Sequence, residues 1–426
     1  MAHVESAIWP GVAGLGVPRT QRHPCRYDAY VPDLLSGVTL ALPSDVAADI
    51  ADAERDVLRL NDGRPALASL EAIARLLLRA EAVASSRIEG LEVGGRRLVR
   101  AEAARVLGAP PSDLTAEAVL GNIEAMDLAV HDLAARDRIA VDDVLAIHRA
   151  LMRHTGRADL GGVVRTTQNW IGGNDFNPCG AAFVPPPPER VPPLLADLVA
   201  LLNGDEYSPV AQAALVHAQF ETIHPFADGN GRTGRALIHV VLRRRGLAPR
   251  YVPPISLVLA TRARDYVRGL TASRYLGSSE SAEAQAGIAE WLRIFASATS
   301  RAATDAERFS ERIDTLVQGW RTRARPIRAQ SAADLLLRVL PSAPLITVET
   351  AARLIGRSVQ ATNLAVARLE EAGVLVRIKD LRRNRAFEAV GLLDALTSFE
   401  RELASPEGDT RASPPVRPVP YRPRRR

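Results

Sequence analysis

The residues between His224 and Arg235, HPFADGNGRTGR, place an imidazole, a carboxylate, an amide and two guanidiniums around a glycine-rich turn. A base with a working range near neutral pH beside paired arginines suits chemistry on a phosphate: the arginines neutralise charge and the histidine accepts a proton. Arg232 and Arg235, three apart, share one helix face and address the same anion. Gly229, Asn230 and Gly231 form a turn whose main chain can approach a ligand closely.

These groups need elements to hold them. The run from Ser208 to Ile223 predicts a helix, with Ser208 as N-cap, Pro209 in the first turn, and Val210, Ala213, Val216, Phe220 and Ile223 at apolar helical spacing. Pro225 ends it, because the residue before a proline is pushed out of the α region, so His224 sits at a helix exit. A second helix runs from the GRTGR segment to Arg243, Arg244 and Arg245, with Gly246 as its stop. The loop therefore feeds main-chain N–H groups into a helix N-terminus, which is an anion site. Gly229, Gly231 and Gly234 also spell a dinucleotide fingerprint, but helix precedes them where that fold needs a strand, and the Rossmann reading is excluded. No GK[ST] and no kinase residue set occurs.

HPFADGNGR followed by Arg235 resembles the HPFx[DE]GNGRxxR signature of the Fic/Doc family, matching at every specified position. The resemblance implies a helical enzyme that transfers AMP from ATP to a Ser, Thr or Tyr hydroxyl of a protein, including itself. It implies that His224 is the general base and that Asp228 holds Mg²⁺ on the α- and β-phosphates. Asn230 with the N–H groups of Gly229 and Gly231 would cradle phosphate oxygens, and Arg232 and Arg235 would neutralise the β- and γ-phosphates. Removal of AMP, or transfer of another nucleotide, is an alternative at the same site. A nucleotide-sensing DNA-binding regulator is an alternative of another class, disfavoured by an intact His224.

With 426 residues and 47% hydrophobic content, the chain can bury two or three cores. Its net charge of +5 is concentrated in the arginines of the tail, so the body is nearly neutral and the charge is no sign of a nucleic-acid-binding body. Cys25 and Cys179, far apart in sequence, indicate neither a disulfide framework nor a zinc site. No signal peptide or membrane-spanning run is expected, which makes the cytoplasm the default location.

Residues 1–30 form an N-terminal extension, expected to wrap the surface or move freely. Residues 31–110 read as a helical region with runs from Ser44 to Asn61 and from Pro65, which starts a helix, to Gly90, which can cap it. Ser85-Ser86-Arg87-Ile88-Glu89-Gly90 resembles the [ST]xxxE[GN] inhibitory motif of Fic proteins. Ser85 and Glu89 share a helix face, and by the resemblance Glu89 would pair with Arg235 and exclude the γ-phosphate.

Residues 111–299 are read as the catalytic core. Two amphipathic helices cover Thr115–Ala135 and Val141–His154, and His131, His148 and His154 on them are read as packing or surface residues. Val163, Val164, Thr166 and Thr167, with Ala182, Phe183 and Val184, predict a β-hairpin around a Gly/Asn/Asp-rich turn. In Fic proteins such a flap aligns an extended target by strand-like pairing, which makes Ile171, Gly172 and Gly173 the contact candidates.

Residues 300–340 read as linking helices. Residues 341–404 resemble a winged helix-turn-helix, with Thr347 and Ser358 as N-caps and strands VLVRIKD and AFEAV around Leu381 to Arg385. Arg382, Arg383 and Arg385 suit phosphates, and Gln360, Thr362 and Asn363 suit bases, although a dimer or substrate-docking role ranks ahead of DNA. Residues 405–426 are a Pro- and Arg-rich tail without a core. The fold class is mainly α: a Fic-type helical core with a β-hairpin flap, plus the C-terminal module.

Overall fold

The computed structural model describes residues 1–11, 17–62, 70–106, 110–378 and 385–403. Pro65, Leu381, Arg382 and Arg383, and the tail from 405 lie outside the described residues. Strands β1 (His3–Trp9) and β2 (Cys25–Val31) open the chain. Helices α1 (Ser44–Asp62), α2 (Leu70–Ile88), α3 (Gly95–Val106), α4 (Leu114–Asp127), α5 (Val141–Met152) and α6 (Val191–Asn203) follow. Next come α7 (Pro209–Ile223), α8 (Asn230–Arg244), α9 (Ile255–Thr261), α10 (Ala263–Ala272) and α11 (Ala282–Arg323). The C-terminal elements are α12 (Ala332–Val339), β3 (Leu345–Thr347), α13 (Val348–Ile355), α14 (Val359–Glu371), β4 (Leu375–Arg377), β5 (Ala386–Ala389) and α15 (Leu392–Leu403). The protein is mainly helical, as expected.

Two compact units share the chain, each built from separated segments. The first comprises residues 1–55, 121–249 and 264–300. Its centre is α7, buried from Val210 to Ile223 and paired with α8. Alanines at 211, 213, 214 and 218 let neighbouring helices approach, and Trp291 of α11, fully buried, donates its Nε1–H to the Ala214 carbonyl at 2.8 Å. Burial of such a ring contributes about 1.5–3 kcal/mol.

The N-terminal extension is not a loose wrap. β1 and β2 pair antiparallel from His3–Val31 to Trp9–Cys25, and the Tyr30 N–H reaches the Val184 carbonyl at 2.9 Å. Cys25 and Cys179 form a disulfide with 6.2 Å between their Cα atoms, which corrects the expectation of no disulfide. Sequence distance misled that expectation, since the fold brings together residues 154 positions apart.

The second unit comprises residues 56–120, 250–263 and 301–426. In it α2 packs on α9, and the buried Glu81 carboxylate accepts the Ser256 N–H at 2.8 Å, capping the start of α9. Gly90, at φ +80°, ends α2 as expected, with the Leu91 N–H reaching back to the Ser86 carbonyl. In the C-terminal module, Thr347 and Ser358 cap α13 and α14 through their side chains. β3, β5 and β4 form an antiparallel sheet in that order, and Arg385 donates to the Asn363 Oδ1 at 3.2 Å.

Candidate active site

Helix α7 ends with His224 in the left-handed region, φ 48° and ψ 61°, its N–H bonded to the Phe220 carbonyl at 2.9 Å. Pro225 forbids continuation, and the left-handed step turns the chain so that the imidazole stands at the rim of the following loop. A non-glycine residue in this region is strained, and such strain persists only where the surroundings over-determine it.

Those surroundings are polar side chains spent on main chain. The Asn230 Oδ1 accepts the Phe226 N–H and its Nδ2 donates to the Phe226 carbonyl, both at 2.8 Å. Its amide therefore clamps the loop. Asn169 donates to the carbonyls of His224, at 3.3 Å, and of Phe226, at 3.0 Å. Arg165, 5% exposed, donates to the carbonyls of His224, Thr167, Pro186 and Ile223, and its own N–H bonds to the Pro225 carbonyl. Burial lowers its pKa to about 10, which leaves it charged at neutral pH.

His148 works from beneath. Its Nδ1 accepts the Gly162 N–H at 3.0 Å, so its Nε2 carries the proton and donates to the Asp228 carbonyl at 2.9 Å. The ring stacks on Phe226 at 3.7 Å, and burial drops its pKa to about 4. Expected as a packing or surface residue, it also fixes the main chain that carries Asp228. His131 and His154 pair with Asp127 and Glu124.

Gly229, at φ +76°, starts α8, and a Cβ there would stand 3.0 Å from Leu151. The Gly229 N–H donates to the Asp228 Oδ1 at 2.6 Å. Asn230 and Gly231 begin the first turn of α8, where N–H groups have no intrahelical acceptor. Arg232 and Arg235 are 5% and 1% exposed. Arg232 Nη2 lies 3.7 Å from the Asp228 carboxylate, and Arg157 lies 3.9 Å from it. The structure thus brings His224, Asp228, Gly229, Asn230, Gly231, Arg232 and Arg235 into one loop and helix start.

The expected flap is a loop with a single strand-like bridge, not a hairpin. Ile171 and Phe183 exchange N–H···O bonds at 2.8 and 3.1 Å, and no ladder extends from them. The arm read as strand, from Val163 to Thr167, is diverted: its middle residue, Arg165, is the one that holds the His224 turn. Gly172 and Gly173, at φ +74° and +77°, cross close over Ala182 and Ala181. Asn174 folds the tip by accepting the N–H groups of Phe176 and Asn177. Ser85 and Glu89 belong to the second unit, Ser85 buried in α2 and Glu89 exposed in the turn that ends it.

A left-handed histidine at a helix exit is followed by a clamped loop and a helix N-terminus carrying two buried arginines, all within a mainly helical protein. Residues 138–242 match the Fic/DOC family, and residues 47–131 match the Fic/DOC family N-terminal region. The chain carries a Fic/DOC family domain together with that N-terminal region. Protein adenylyltransferase fic-1 of Caenorhabditis elegans is 35% identical over 133 residues, 30% of this chain and 23% of the relative. Protein adenylyltransferase Fic of Drosophila grimshawi is 32% identical over 216 residues, 47% of this chain and 41% of the relative. The chain thus spans less than half the length of these relatives. A solved Fic family protein from Desulfovibrio desulfuricans is 21% identical, with TM-score 0.48 over 82% of this chain and 97% of its own.

Proposed function

We propose that this protein moves AMP from ATP to a Ser, Thr or Tyr hydroxyl of a protein, and that Glu89 holds the resting chain inactive. The observation that carries this reading is the pair of buried guanidiniums, Arg232 and Arg235, in the first turns of the helix that starts six residues after a left-handed histidine. Two charges at that depth cost desolvation, and an anionic ligand offsets it.

In the transfer, the hydroxyl oxygen bonds to the α-phosphorus, the bond to the β-phosphate oxygen breaks, and pyrophosphate leaves. His224 takes the hydroxyl proton. Arg232 and Arg235 with the N–H groups of Asn230 and Gly231 hold the departing phosphates. Asp228 fits a Mg²⁺ ion: its carboxylate is 43% exposed and fixed by the Gly229 N–H, a hard oxygen donor that leaves other positions to water and phosphate. Bound there, the ion supplies further charge neutralisation. Ile171, 37% exposed, with Gly172 and Gly173 would pair with the main chain of an extended target.

Glu89→Gly raises label transfer from α-labelled ATP to protein, and His224→Ala abolishes it. Equal labelling by wild type and the Glu89 variant removes the inhibitory reading, and labelling that survives His224→Ala removes the base.

A further inference from the structure

Glu221 has no part in the roles given so far, yet its placement is costly. It lies in α7, one turn before His224, and is 7% exposed in a helix whose other surroundings are largely apolar. A carboxylate there loses its hydration and is kept only where something nearby uses its charge. Its main-chain carbonyl stands 3.3 Å from the His224 Nδ1, and its Oε2 stands 4.0 Å from the same atom. Both of these atoms are acceptors, so Nδ1 carries the proton and the lone pair falls on Nε2.

We propose that Glu221 is the positioning residue of the base: its carbonyl fixes the tautomer and ring direction of His224, and its carboxylate stabilises the imidazolium that forms when Nε2 takes the hydroxyl proton. The neighbouring elements supply the opposing charges. Arg274, just beyond α10, attracts the Glu221 carboxylate, donates to the Thr222 hydroxyl at 3.3 Å, and lies 3.6 Å over the Phe183 ring. From α8, Gly234 packs against the Glu221 carboxylate, and a Cβ there would stand 2.8 Å from its Oε1. Arg235 of the same helix acts on His217, which lies on the Glu221 face of α7 and bonds to the Tyr266 hydroxyl at 2.8 Å. Arg165 holds the His224 carbonyl, not its ring. Of these groups, Glu221 offers negative charge to Nδ1.

This role rests on His224 acting as the base proposed above, whereas the coupling of Glu221 to His224 is measurable without substrate. The test is an NMR titration of the imidazole Cε1–H signals in the full chain, which holds eight histidines, with His224 assigned by its loss in His224→Asn. In Glu221→Gln the His224 midpoint moves to lower pH, and in Glu221→Asp it returns toward the wild-type value. In the transfer assay, kcat for Glu221→Gln falls about 10–100-fold with KM for ATP nearly unchanged, and the acid limb of the rate profile moves with the midpoint. An unmoved midpoint, in Gln and Asp variants that melt with wild-type cooperativity, overturns the proposal. So does a loss confined to KM. If wild type and Glu89→Gly transfer nothing to any target, the transfer reading fails and the midpoint alone decides the coupling.

Discussion

The loop from His224 to Asn230 and the loop from Gly161 to Val184 lie in the same unit and are held by different means. In the first, side chains satisfy the main chain: Asn230, Asn169, Arg165 and His148 take up its carbonyls and N–H groups. In the second, one main-chain bridge at Ile171 and Phe183 and a disulfide to β2 join side-chain bonds made mostly within the loop, from Asn174, Asn177 and Trp170. A loop fixed by side chains converging from other segments stays in one geometry, as a catalytic centre demands, whereas a loop with a single strand-like bridge retains main-chain edges for a guest strand. Arg165 belongs to both, with its main chain in the second and its guanidinium on the first.

Breaking that shared residue tests the contrast most severely. Arg165→Met strips four carbonyls of their donor and costs about 3–5 kcal/mol, measured by denaturant unfolding, with loss of transfer activity. Removing the bridge with Cys25→Ser and Cys179→Ser costs about 2–4 kcal/mol and speeds protease cutting between Gly161 and Val184. ATP binding, measured by calorimetry, stays within threefold of wild type at about that level of precision if the two loops are held independently. Gly172→Ala puts a Cβ 3.0 Å from that of Ala182 at a positive φ, and is expected to cost about 1–2 kcal/mol while raising KM for a protein target. Acid offers a gentler probe. Burial holds His148 and His217 below their ordinary value of 6.5, at about 4 and about 3, so the unfolded chain takes up protons first. Their contribution is complete well above 6.5 and falls as pH drops toward 4 for His148 and 3 for His217; from pH 7 to 6 the two rings lose about 1–1.5 kcal/mol together. A flat stability over that range would show that neither ring is buried neutral.

The contrast also explains what could be read in advance. The helices around His224 were legible because caps and stops are local: Ser208 and Pro209 start α7, Pro225 ends it, and Gly246 follows α8. The roles of Arg165, Asn169 and His148 were not, because each bonds a segment 55 or more residues away. Val163, Val164, Thr166 and Thr167 carry a genuine strand pattern, and the tertiary demand on Arg165 overrides it. The pairing of Cys25 with Cys179 was hidden for the same reason. Glu221, by contrast, left one mark in the sequence: an acidic residue at a core position of an otherwise apolar helix, one turn before the histidine.

The bond between Cys25 and Cys179 has a topological consequence. It closes the intervening chain, α1 through α5 included, into a covalent ring. A backbone cut anywhere in that ring opens it without releasing a fragment, so the nicked protein migrates as one species until a reductant is added, and the hairpin that begins the chain cannot drift away from the segment it braces.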